Sequence, residues 1–165
     1  MTGKWGRTLV PALTVVVLDQ WTKAIVLARM DLHQSIPVVD GFFALTYVRN
    51  TGAAFGILAG RLAEFRVPFL LAVSVLALVV LLWFVRTIPA GRRAVIAACG
   101  GVLGGAIGNM IDRAAYGEVI DFLDVYVGTY HWPAFNIADA AISVGVVVLC
   151  LDALRGAPDP ERSVT

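Results

Sequence analysis

The sequence predicts an all-α integral membrane protein: four transmembrane helices, with a small extracytoplasmic β element and an interfacial helix. Three observations carry this. Hydrophobic residues make up 59% of the chain and charged residues only 15%, with a mean hydropathy of +0.81; soluble domains carry about a quarter charged residues. Val67–Val85 runs for 19 residues and Ala94–Ile111 for 18 without a charge, which suffices to cross a hydrocarbon layer of about 30 Å. The polar groups Asn109, Asp112, Asp121, Asn136 and Asp139 gather at the rims of two apolar spans, where carboxylates are costly to keep dry and so are functional candidates. At 165 residues, a single polytopic domain over 1–165 is expected.

Taken in order, the first span covers about 9–28. Lys4 and Arg7 precede the apolar run Leu9–Leu18 in the manner of a signal peptide. However, no small-residue cleavage site follows, and Asp19 and Lys23 interrupt the continuation, so an uncleaved span is expected. An external loop over 29–66 comes next. Within it the alternating faces of Phe42–Val48 predict a short strand or hairpin, and Ala53–Arg66 mixes apolar and charged residues as an interfacial helix would. The second span, 67–85, carries Pro68 in its first turn, where proline is tolerated. The third covers 94–111 and the fourth 136–154, the last being weaker because it contains Asp139 and Asp152. Basic residues near the span ends divide seven (Lys4, Arg7, Arg86, Arg92, Arg93, Arg155, Arg162) against five (Arg29, Arg49, Arg61, Arg66, Arg113). That bias places both termini in the cytoplasm and the acidic 112–135 loop outside.

Several function classes drop out. A net charge of +1 and the lack of a basic cluster interleaved with aromatics point away from nucleic acid. Cys99 and Cys150 lie inside apolar runs and read as small buried hydrophobes. His33 and His131 are isolated, so no metal site is expected. Neither Ser74 nor Ser143 has a base nearby. The run Gly100-Gly101-Val-Leu-Gly104-Gly105-Ala-Ile-Gly108 lacks the Lys-Ser/Thr of a phosphate loop, and glycines four apart instead let helices approach closely in lipid.

Carboxylate chemistry remains. Asn136 and Asp139, three apart after Trp132-Pro133, fit reciprocal capping of a helix start as well as they fit chemistry, and both readings stand. Asn109 and Asp112 share one helical face near a helix end where the macrodipole disfavours an anion, with Arg113 able to offset the charge. Asp19 and Lys23 form a favourable i, i+4 pair. Lys23 is expected to snorkel outward, and Asp19 to serve as a buried hydrogen-bonding strut. Glu118 and Asp124 read as solvated loop charges.

With these blocks in view, the chain resembles the lipoprotein signal peptidases (signal peptidase II), membrane aspartyl peptidases of bacteria. The resemblance rests on Asp19-Gln-Trp-Thr22-Lys23, Asn50-Thr-Gly-Ala-Ala-Phe55, Gly104-Gly-Ala-Ile-Gly-Asn109-Met-Ile-Asp112-Arg113, Val119-Ile-Asp121-Phe122 and Trp132-Pro-Ala-Phe-Asn136-Ile-Ala-Asp139, five blocks in order over nearly the whole chain. It implies Asp121 and Asp139 as the catalytic pair. Asn109, Asp112, Arg113 and Asn136 would shape the site, Asn50 would come from the external loop, and Asp19 and Lys23 would support it from the first span. It further implies cleavage of diacylglyceryl-modified prolipoproteins just before the lipidated cysteine, without cofactor or metal, at the outer face of the bacterial inner membrane. Membrane lipid would be the other partner, the chain would act as a monomer, and globomycin would be an inhibitor.

Two carboxylates that meet across such a cleft share one proton. Asp139, in a helix's first turn, is expected to be the ionised base and Asp121 the protonated acid. A proton-coupled carrier is the rival reading, but its acids would be spread through the membrane's depth, whereas only Asp19 here is deep.

Overall fold

A computed structural model describes residues 2–52 and 63–154. Four long helices, α1 (Thr2–Arg29), α2 (Ala63–Thr87), α3 (Arg93–Tyr116) and α4 (Ile137–Leu154), are joined by two hairpins: β1 (Ser35–Val39) with β2 (Phe43–Asn50), and β3 (Val119–Val127) with β4 (Tyr130–His131). All four helices are long and apolar enough to cross a membrane. The interfacial helix expected over 53–66 falls mostly on 53–62, outside the described residues, while Ala63–Arg66 begin α2.

Helix α3 organises the bundle because its glycines remove the side chains that would hold neighbours apart. A methyl group at Gly100 or Gly104 would strike the backbone carbonyls of Thr8 or Ala12 on α1, and one at Gly105 would strike the carbonyl of Ala138 on α4. Two faces of one helix are therefore pressed backbone-to-backbone against α1 and α4, as small residues permit in lipid. Helix α2 stands apart. None of its apolar window is buried within the protein, and Phe69, Leu76, Val79 and Trp83 are exposed, which suits a helix bathed in lipid. Where α2 turns into α3, Val85, Ile88, Val95, Ile96 and Cys99 form a small core. Cys150 differs from expectation, being exposed on the outer side of α4.

Helix α3 continues past the expected 111 to Tyr116. It is closed there by Gly117, whose φ of 76° suits glycine and whose N–H donates to the Arg113 carbonyl at 3.0 Å. Asn109 and Asp112 thus lie inside the helix rather than at its last residue.

The four strands make one antiparallel sheet in the order β1-β2-β3-β4 at one end of the bundle. Alternation in 42–48 correctly marks β2. Strand β3 runs through what reads in sequence as an acidic loop, and it lies buried along Val119–Phe122. Val26 from α1, Tyr47, Ile120 and Phe122 form the core that seats the sheet on the helices. Asp124 and His131 depart from their expected roles. Asp124 is buried, accepting from the Thr46 hydroxyl at 3.1 Å and facing His131 Nδ1 at 2.9 Å. His131 stacks on Tyr126. A strand geometry that points one Asp inward and pairs the other across a hairpin replaces the solvated loop.

Substituting Gly104→Ala is expected to lower stability in detergent by about 1–3 kcal/mol, the usual cost of overpacking, read as a lower thermal unfolding midpoint. A midpoint equal to wild type would mean that α1 and α3 are not held at backbone contact.

Candidate active site

Four elements converge where the sheet meets the bundle. Strand β3 carries Asp121 and α4 carries Asp139 in its first turn. Strand β2 ends on Asn50, aligned with Val119, so that its side-chain amide reaches diagonally to Asp121 Oδ2 at 2.9 Å. Helix α3 supplies Asn109 and Asp112.

Asn136 is the hub between the two candidate carboxylates. Its side-chain amide donates to Asp121 Oδ1 at 2.7 Å and also faces Asn109 Oδ1 at 3.1 Å and the Ile120 carbonyl at 3.2 Å. Its own Oδ1 accepts the Asp139 N–H at 2.9 Å, and its backbone N–H points to Asp139 Oδ2 at 3.3 Å. That reciprocal pair is a capping box, so the capping reading of Asn136 and Asp139 is correct. The remaining amide protons of the same cap then hold Asp121. Capping and site-building are done by the same two side chains.

Asn109 completes the ring, its amide donating to Asp139 Oδ1 at 2.7 Å. Its carbonyl oxygen accepts from Lys23 Nζ at 3.1 Å. Lys23 does not snorkel outward. It is 2% exposed and turns inward, donating also to Asp19 Oδ2 at 2.7 Å and Asp112 Oδ2 at 2.8 Å. An ammonium has three protons, and all three are used. Outward travel would leave two buried carboxylates unpaired, a greater penalty than burying one paired cation.

Asp19 is the buried strut expected, fully buried and accepting the Ala138 N–H on α4 through Oδ1 at 2.9 Å. Asp112 is fully buried too. Lys23 makes its direct ion pair and the charge of Arg113 also favours it, and it accepts the Ile120 N–H at 3.1 Å, which pins the start of β3 to α3. Arg113 is half-buried close to Gly52, and its Nε has no hydrogen-bond partner among the described residues. Gln20 escaped sequence reasoning. Its amide donates to Asp112 Oδ1 at 2.9 Å and reaches Asp19 Oδ2 and the Gly108 carbonyl, each at 3.2 Å. Its signal was its place in the Asp19-Gln-Trp-Thr22-Lys23 block.

Burial above all, and then the charge of Asp139, push the Asp121 carboxyl up to about 6, against the opposing hydrogen bonds from Asn50 and Asn136 and the charge of Lys23. Beside Asp139 opens a cavity of about 620 Å³ lined by Trp132, Pro133, Phe135, Ala140, Ser143 and Val144 among others. It is mostly apolar, with one carboxylate at its wall. No group of three or more His, Cys, Asp or Glu with metal-binding geometry occurs among the described residues. The arrangement sets two carboxyl groups one asparagine apart, beside a mostly apolar cavity.

Residues 11–155 match the signal peptidase (SPase) II family. The chain is 49% identical over 147 residues to the lipoprotein signal peptidase of Syntrophus aciditrophicus, covering 89% of this chain and 91% of that one. It is 53% identical over 140 residues to that of Geobacter sulfurreducens, covering 85% and 86%. The fold superposes on a solved bacterial membrane enzyme with a TM-score of 0.83 at 34% identity, covering 92% of this chain and 95% of that one.

Because Asp121 holds its proton more tightly folded than at its usual 3.8, folding takes up a proton between these values. The contribution of this group to stability is therefore complete below about pH 4 and lost as pH rises through about 6. The unfolding midpoint of wild type, measured relative to Asp121→Asn, should fall across this window. A difference that stays flat with pH would contradict the burial of an ionisable Asp121.

Proposed function

The chain belongs to the signal peptidase II family, and from that membership we propose that it is an aspartic endopeptidase that removes signal peptides from diacylglyceryl-modified prolipoproteins just before the lipidated cysteine. The observation that carries the aspartic reading is the bridge formed by Asn136, whose side-chain amide holds Asp121 while its backbone and side chain hold Asp139. The carrier reading finds no support, since the acids cluster at one end of the bundle.

In the proposed reaction Asp139 is ionised and Asp121 protonated. The feature that supports this assignment is the burial of Asp121, which raises its carboxyl toward the neutral form. Asp139 takes a proton from water as the water oxygen attacks the scissile carbonyl carbon, and Asp121 gives its proton to the carbonyl oxygen. In the resulting gem-diol, Asp139 returns its proton to the amide nitrogen, the C–N bond breaks, and a diol hydroxyl proton reprotonates Asp121. Both carboxyls end as they began, and no metal takes part. Asn50, Asn109, Asp112, Arg113, Asn136, Asp19 and Lys23 act as positioning residues. The apolar cavity beside Asp139 seats the lipid-bearing part of the substrate, whose remote binding energy positions the peptide bond.

The basic-residue bias supports cytoplasmic termini and a site near the outer face of the inner membrane, and the chain would work as a monomer.

Purified protein incubated with a lipidated peptide tests the reading. Asp121→Asn and Asp139→Asn should each lower turnover by at least about 100-fold, the lower end of what general acid–base groups contribute, while the wild type keeps its rate after exhaustive EDTA treatment. Wild-type-like turnover by either variant, or a loss on EDTA restored by zinc, would reject the aspartyl assignment.

A further inference from the structure

At the opposite end of the bundle from the carboxylates lies a second cavity of about 660 Å³, lined by Gly3, Lys4, Trp5, Arg7, Arg86 and Ala90. Three of the six are cations, and no carboxylate lines it among the described residues. Two of them, Lys4 and Arg7, are drawn in rather than spread outward as snorkelling side chains would be. Lys4 Nζ is drawn in by the carbonyls of Arg86 at 2.9 Å and Ile88 at 2.5 Å, at the C-terminal end of α2, and Arg7 Nη1 by the carbonyl of Ala90 at 3.1 Å. Those carbonyls stabilise the lysine, while Arg86 also lines the hollow and Arg7 makes only the one bond to Ala90 there. Close by, Arg92 pairs with Asp152. None of Lys4, Arg7 and Arg86 takes part in an ion pair among the described residues. Three like charges held around one concave, partly apolar space repel each other unless an anion joins them.

The surroundings say what kind of anion fits. Trp5 packs against the core of Val85, Ile88, Val95, Ile96 and Cys99 and makes one rigid wall. Three residues from Arg7 toward the middle of the bundle, on the same helical face, stands Val10, 66% exposed. Three residues from Arg86 in the same direction stands Trp83, 65% exposed. The cations therefore sit at headgroup depth at the ends of apolar helices, with bare lipid-facing side chains beneath them. Free phosphate would use the cations alone, whereas a phospholipid would use both.

We propose that this cavity binds the phosphate of an anionic glycerophospholipid, with Arg7 and Arg86 as its principal ligands and the acyl chains lying along Val10 and Trp83. The bound lipid joins the start of α1 to the α2–α3 turn. It does not depend on the peptidase reading, because the cavity shares no residue with the carboxylate site.

The test uses full-length protein in a neutral detergent, with thermal unfolding and native mass spectrometry as readouts. Phosphatidylglycerol should raise the unfolding midpoint by several degrees and leave one lipid retained on the protein. Phosphatidylcholine and inorganic phosphate should do neither. The Arg7→Gln/Arg86→Gln double variant should lose both effects. Arg93→Gln, which removes a cation from the same end but not from the cavity, should keep both. An equal shift with phosphatidylcholine, reproduction of the shift by phosphate alone, retention of lipid by the double variant, or equal loss in Arg93→Gln would each overturn the proposal. Lipid retention read by mass keeps the test decisive even if the double variant is less stable.

Discussion

The three protons of the Lys23 ammonium meet Asp19, Asp112 and the carbonyl oxygen of Asn109, and the polar contacts around Asp121 and Asp139 build outward from there. A lysine and two carboxylates within an apolar bundle are tolerable only together. Removing one member of a buried ionic set costs about 3–5 kcal/mol, because its partners are left charged and dry. Saturating the lysine fixes which way the Asn109 amide faces, so its N–H₂ points to Asp139 and its oxygen to Lys23 and Asn136. Asp19 and Asp112, oriented by the same cation, accept backbone N–H groups from α4 and β3. The cation thus ties the first turn of α4 and the start of β3, which carry the two candidate carboxylates, to the middle of the bundle.

This arrangement requires backbones closer than ordinary side chains allow. Gly100 and Gly104 bring α3 against α1, and Gly105 brings it against α4, so short polar side chains can span the gap between helices. Longer distances would call for bridging groups or water, and the amide orientations would loosen. On the sheet side, the β2–β3 register sets Asn50 beside Asp121, and the capping box sets Asn136 between the two acids. One end of the molecule is held by neutral and paired contacts. The other end gathers Lys4, Arg7 and Arg86 around one cavity, with no ion pair to any of the three among the described residues.

Much of this was legible in the residues. Charge-free runs gave α2 and α3, alternation over 42–48 gave β2, and the acids at the span rims marked the candidate site. What escaped did so for identifiable reasons. The strand holding Asp121 was hidden because Asp121 and Asp124 made Val119–Val127 look like a polar loop, when one acid faces the site and the other pairs with His131. The inward turn of Lys23 was missed because snorkelling is a rule about isolated lysines, and sequence spacing shows Asp19 but not Asp112, which arrives from α3. Gln20 left no pattern, since an amide that orients a carboxylate from another helix has no periodicity of its own. The choice between capping and chemistry at Asn136 was not a real alternative: the cap leaves the amide protons free for Asp121.

The central claim is that the pair of carboxylates carries one proton, held by Asp121. Infrared difference spectra of wild type, Asp121→Asn and Asp139→Asn, taken about one pH unit below the Asp121 value of about 6, where that carboxyl is largely protonated, address it directly. A protonated carboxylic-acid band should be present in wild type, persist in Asp139→Asn and disappear in Asp121→Asn. A band that persists in Asp121→Asn and vanishes in Asp139→Asn would reverse the assignment, and no such band in wild type would contradict a shared proton altogether.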